Sequence, residues 1–142
     1  MKSGIYAIYG GKTFRAGITN KENGKSYVLL NNGKTYLEGF TKNRVGNFVK
    51  KVALDELEQA YELYLRAVYR GERFTVILEE DDRVLITTND EEYANRFGFK
   101  FVERAVYEKW VYKDELDKMW YEKQGIWGFS TPEDNIKYIK EW

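Results

Sequence analysis

The chain reads as a single α+β domain over residues 1–142: an antiparallel sheet built from hairpins, with a central amphipathic helix and shorter C-terminal helices packed mostly on one face. Three observations point there. Residues 55–69 carry Leu57, Ala60, Tyr61, Tyr64, Leu65 and Val68 at three- and four-residue intervals, which gathers apolar side chains on one side of a helix. Short apolar runs on either side of this stretch are punctuated by Gly-Gly, Asn-Gly and acidic turns, as hairpins are. Two later stretches open with helix-start signals, at Asn89 and at Thr131.

Taken in order, residues 4–9 form a first strand, Gly10-Gly11 a two-residue turn, and residues 13–19 the returning strand with Phe14, Ala16 and Ile18 on one face. Asn23-Gly24 makes the next turn, residues 26–30 a third strand, and residues 35–40 a fourth. Residues 41–51 read as a polar connection anchored by Val45, Phe48 and Val49. Asp55 with Glu58 suits a capping box for the central helix, Arg66 and Arg70 sit near its end, and Gly71 can stop it. Residues 74–78 and 83–88 make a second hairpin around the turn Glu79-Glu80-Asp81-Asp82. Asn89 and Glu92 open a short helix through Tyr93, Ala94 and Phe97 that Gly98 ends. Residues 99–112 favour one long strand, residues 114–124 a helix with Leu116, Met119 and Trp120 on one side, and residues 132–141 a last helix capped by Thr131 with Pro132 first. No internal repeat, low-complexity segment or linker is expected.

Composition removes most chemistry. With no cysteine and no histidine, disulfides, thiol nucleophiles, Ser-His and Cys-His pairs and His- or Cys-ligated metals are all excluded. No catalytic residue, cofactor or metal ligand is expected. The amino terminus lacks a signal peptide and no segment suits a membrane span, so a cytoplasmic, soluble protein is expected. Net charge is zero but unevenly spread: residues 1–51 hold ten Lys/Arg against two Glu, a net of +8, residues 52–100 a net of −6, and residues 101–142 a net of −2.

The acids Glu79–Asp82 are the densest carboxylate group, but acid catalysis needs one member desolvated and a hairpin tip leaves all four in water. Gly10-Gly11-Lys12-Thr13 ends like a phosphate loop, yet Tyr6 holds the place of its first glycine and a strand follows. The basic N-terminal third offers an alternative function, a single-stranded nucleic-acid module stacking bases on Tyr6, Tyr9, Phe14 or Tyr27 while Lys12, Arg15, Lys25 and Lys34 meet phosphates. Among the tryptophans, Trp127 and Trp142 are the ones whose positions suit an interface.

The opening G-I-Y-A-I-Y-G-G-K-T-F-R-A-G-I, the segment Y-R-G-E-R-F-T-V-I-L-E-E followed by V-L-I-T-T-N-D, and the later Y-E-K-W-V-Y-K-D-E-L together resemble small immunity proteins encoded beside polymorphic or contact-dependent toxins of Gram-positive bacteria. The resemblance touches most of residues 4–129 and implies a stoichiometric inhibitor, not an enzyme, that binds and neutralises the C-terminal toxin domain of a sister polypeptide. Such toxins are commonly nucleases, often RNases, whose surfaces are basic because they meet phosphates. Charge and layout, separately from the resemblance, nominate the partner-binding residues Glu79, Glu80, Asp81, Asp82, Asp90, Glu91 and Glu92, brought together by the hairpin tip and the following helix start.

Overall fold

A computed structural model describes residues 2–141, and nearly every element in it is an antiparallel strand. The backbone gathers into two compact units, residues 2–63 with 124–132 and residues 64–123 with 133–141.

The first unit runs β1 (Gly4–Tyr9), β2 (Lys12–Ile18), β3 (Tyr27–Asn31), β4 (Thr41–Lys42), β5 (Phe48–Ala53), a 3-10 turn (Leu54–Glu56) and the opening residues, 59–63, of β6 (Gln59–Tyr69). Its strand order is β4-β5-β3-β2-β1-β6, with Tyr9 opposite Lys12 across the Gly10-Gly11 turn. Both glycines hold the positive φ that a two-residue hairpin of matching twist demands. The core is Ala7, Phe14, Val28, Leu30, Phe40, Val52, Leu57 and Ala60.

The second unit takes residues 64–69 of β6, then β7 (Glu72–Glu79), β8 (Arg83–Thr88), the helix α1 (Glu91–Phe97), β9 (Lys100–Glu103), β10 (Val106–Tyr112), a 3-10 turn (Lys113–Glu115), β11 (Leu116–Gly125, here through residue 123) and β12 (Ile136–Glu141). Its order is β6-β7-β8-β10-β9, while β11 pairs with β6 and β12. Phe74 lies at the centre of an aromatic cluster with Tyr69, Tyr93, Phe97 and Phe99.

The expected α+β architecture is therefore corrected: the central helix is the strand β6. Its Tyr61, Leu63, Leu65, Ala67 and Tyr69 are buried and the residues between them partly exposed, a period of two. The segment is apolar enough to satisfy the helical spacing as well, and its Tyr and Val content favours the extended form. The cap signals serve other bonds. Glu56 accepts the Ala53 N–H at 3.2 Å and closes the 3-10 turn, while Glu58 accepts the Gly11 N–H at 2.7 Å.

The two expected C-terminal helices are likewise strands, β11 and β12. Leu116 leaves a 3-10 turn, so it reaches the core ahead of the strand's own alternation and stands three residues from buried Met119. That junction produces a helix-like spacing without a helix. The Thr131 hydroxyl accepts from the Gly125 N–H at 3.2 Å and caps nothing. Residues 99–112 form the hairpin β9–β10, turning at Arg104-Ala105 with Ala105 in the left-handed region. Residues 35–40 are not a strand, whereas residues 41–51 hold β4 and most of β5. The one α-helix among the described residues stands where the sequence places it, capped by Asp90 in place of Asn89 and stopped by Gly98.

An internal repeat is also present. Ala7, Tyr9, Gly11 and Phe14 of the first unit recur at one fixed offset as Ala67, Tyr69, Gly71 and Phe74 of the second. Farther along, Val28 and Leu30 recur as Val84 and Ile86, Val52 as Val111, Asp55-Glu56-Leu57 as Asp114-Glu115-Leu116, and Ala60 as Met119. The 3-10 turns match too, since Glu115 accepts the Tyr112 N–H at 2.8 Å as Glu56 accepts that of Ala53. Each unit is thus a hairpin, a third strand, a return strand, a 3-10 turn and a closing strand around equivalent core positions. The connections between second and third strands, residues 19–26 against 80–82, and the segments between third and return strands differ, which shifts the offset and hides the period in the sequence.

Candidate protein-binding face

All seven acids nominated from the sequence are exposed. They form two groups. Glu79 ends β7 and Glu80–Asp82 make the β7–β8 turn, and Asp90–Glu92 begin α1; β8, six residues and so about 20 Å of extended chain, runs between them. Hairpin tip and helix start lie at opposite ends of that strand, so the fold does not bring the seven together.

Part of this charge has internal work. Glu79 pairs with Lys113 at 2.7 Å, Glu80 with Arg83, and Asp90 accepts the Glu92 and Tyr93 N–H groups at 2.9 and 3.2 Å. The carboxylates of Asp81 and Asp82 form no ion pair among the described residues. No cluster of three or more Asp/Glu suited to a metal ion occurs among those residues.

What adjoins the tip is apolar. Cross-strand register places Leu78, Leu85 and Trp110 side by side, and the next row on the same face holds Arg83 opposite Tyr112. Val84 and Val111, between these rows, point into the core. Leu78 is 56% exposed, Trp110 37% and Tyr112 57%, while Leu85 is buried beneath them. Arg83 stacks on Trp110 at 4.1 Å from the ring centroid and also bonds Glu80. The Glu80 hydrogen bond, opposed by desolvation and supported by the charges of Glu80, Asp82 and Tyr112, raises the guanidinium pKa further above its ordinary range. The indole is thereby held by a cation that is itself held by the acidic turn. Beside Trp110 a recess of about 640 Å³ opens between Leu85, Lys100, Phe101, Val102 and Glu108.

Sequence reasoning passes over Trp110 and favours Trp127 and Trp142. Trp127 is half-buried against the first unit's core, and Trp142 lies outside the described residues. The signal for Trp110 is alternation: in Trp110-Val111-Tyr112 the middle residue faces inward and its neighbours outward.

In the basic N-terminal third, Phe14 is buried, and the other three rings named there carry cations of their own chain. Arg15 lies 5.1 Å from the Tyr6 centroid, Lys50 5.2 Å from Tyr9 and Lys51 4.8 Å from Tyr27. No helix among the described residues is long and apolar enough to cross a membrane.

No curated protein and no solved structure matches the chain. A family model does match, over residues 1–127. With that span, the chain belongs to the family described as "Uncharacterised conserved protein UCP033725".

Proposed function

We propose that the chain is an immunity-type inhibitor that binds a cognate toxin domain stoichiometrically in the cytoplasm and performs no reaction of its own. One observation carries the reading: an exposed Leu78–Trp110–Tyr112 surface adjoins the acidic turn Glu79–Asp82. A central aromatic anchor beside a charged rim is the composition of a binding hot spot. The rim's sign suits a basic partner, and a nuclease must present a basic surface to its substrate. Asp90–Glu92, beyond the far end of β8, fall outside this contact.

The experiment is to co-express the chain with the toxin domain encoded beside it and to measure association of the purified pair. Reversing Asp81 and Asp82 to Lys slows association in a salt-dependent way, and Trp110→Ala speeds dissociation. Unchanged kinetics in both variants would remove this face from the interface; turnover of a substrate by the chain alone would end the inhibitor reading.

A further inference from the structure

We propose that the recess beside Trp110 is a receptor for one arginine side chain, with the Glu108 carboxylate as its counter-charge. The inference deepens the inhibitor reading and rests on it for the source of that arginine, the basic partner. The recess, about 640 Å³, has apolar walls from Leu85, Phe101, Val102 and Trp110. It opens because β9 begins at Lys100, level with Glu108, so the row that Leu78, Leu85 and Trp110 share has no member on that strand. Gly98, which ends α1, lines the gap with backbone alone.

Three charged residues border the recess. Lys109 alternates to the opposite face of β10, where its ammonium donates to the Tyr69 hydroxyl at 2.9 Å and to the Phe97 carbonyl at 2.7 Å. Lys100 stands exposed on the edge strand. Glu108 shares the Trp110 face, two residues before it, and is half-buried. Its carboxylate enters no ion pair or side-chain hydrogen bond among the described residues, not even with Lys100, its partner in register. A half-buried carboxylate without a partner loses solvation that an incoming cation offsets. Arginine suits these walls better than lysine, because a planar, weakly hydrated guanidinium can lie against an aromatic ring while two of its N–H groups meet one carboxylate. The same indole already carries this chemistry once: Arg83 stacks on it from the Tyr112 side, with Glu80 as counter-charge. The recess repeats the arrangement on the Glu108 side and leaves the cation for another chain to supply.

Peptide titration of the full chain tests this. With acetyl-Gly-Arg-Gly-amide, the NMR signals of the Trp110 indole N–H and the Gly98 amide are expected to shift together and saturate with a dissociation constant on the order of millimolar. Citrulline in place of arginine keeps the shape without the charge and weakens binding about fivefold or more, and lysine weakens it less. Glu108→Gln costs arginine binding about fivefold or more, whereas Lys100→Gln strengthens it by removing a like charge. Neither side chain belongs to the core, so melting temperatures stay close to wild type and report any misfolding separately. An equal response to arginine and citrulline, tighter binding of acetyl-Gly-Glu-Gly-amide, or indifference to Glu108→Gln overturns the arginine site. Against the toxin domain, Glu108→Gln speeds dissociation about tenfold; a domain that holds this variant as tightly as the wild type also overturns the proposal. A domain that binds neither chain, while the arginine peptide still binds the wild type, ends the inhibitor reading and leaves the arginine site standing.

Discussion

The guanidinium of Arg83 lies 4.1 Å above the centroid of the Trp110 ring and is tied at its other side to Glu80. The stack holds a large, partly exposed indole in one orientation beside the acidic turn, which lowers the ordering cost of using it as an anchor. Trp110→Ala is therefore expected to weaken partner binding by about 2 kcal/mol or more while changing fold stability by only about 1 kcal/mol. Titration calorimetry against the toxin domain, paired with urea melts, separates the two effects. Equal losses in both would reduce Trp110 to a packing residue.

Phe74 contacts four aromatic rings, with centroids 5.1–6.5 Å away, and is 3% exposed. Phe74→Ala is expected to cost about 3–5 kcal/mol and Phe74→Leu about 1.5 kcal/mol or less. Chemical denaturation of both variants checks the ordering, which a surface aromatic would not produce.

Gly125 ends β11 where the chain folds back on itself. A Cβ there would stand 2.6 Å from the Ser130 carbonyl carbon, a backbone atom that cannot swing away. Gly125→Ala is expected to lose about 2 kcal/mol or more of stability, seen as a lower melting temperature. An unaltered melt would mean that residues 126–130 shift freely.

The Tyr93 hydroxyl donates to Glu72 at 3.1 Å, and that hydrogen bond, reinforced by the carboxylate's charge and by desolvation, holds the phenol pKa above its ordinary value near 10. The folded state thus keeps this proton more tightly than the unfolded state. The contribution is complete below the ordinary tyrosine value and disappears as pH rises through the raised one. Denaturation midpoints between neutral and alkaline pH are expected to fall within that window, and Glu72→Gln flattens the fall. A profile identical in the variant would detach Glu72 from the effect.

Turns and short strands were legible because they are set locally. Gly10-Gly11, the acidic turn and Gly98 fix chain direction through backbone conformation alone, and the structure keeps all three. Segments 55–69 and 114–124 misled because Leu57–Ala60 and Leu116–Met119 are spaced by a 3-10 exit, and because buried Ala and Tyr fit either period. Tertiary pairing decided between helix and strand, and β6 finds partners on β1 and β7 that no local signal announces. For the candidate face, the acids were visible in the sequence, but their division by β8 and the exposure of Trp110 depend on register.

The recurrence of Ala7, Tyr9, Gly11 and Phe14 as Ala67, Tyr69, Gly71 and Phe74 lets one half of the chain serve as the reference for the other. Leu29 faces Gly17 and Lys51 on its two neighbouring strands, whereas its counterpart Leu85 faces Leu78 and Trp110. Large apolar side chains crowd this position in one half and not in the other, so grafting Gly17 and Lys51 onto the corresponding sites, Leu78 and Trp110, offers a built-in control that strips the face.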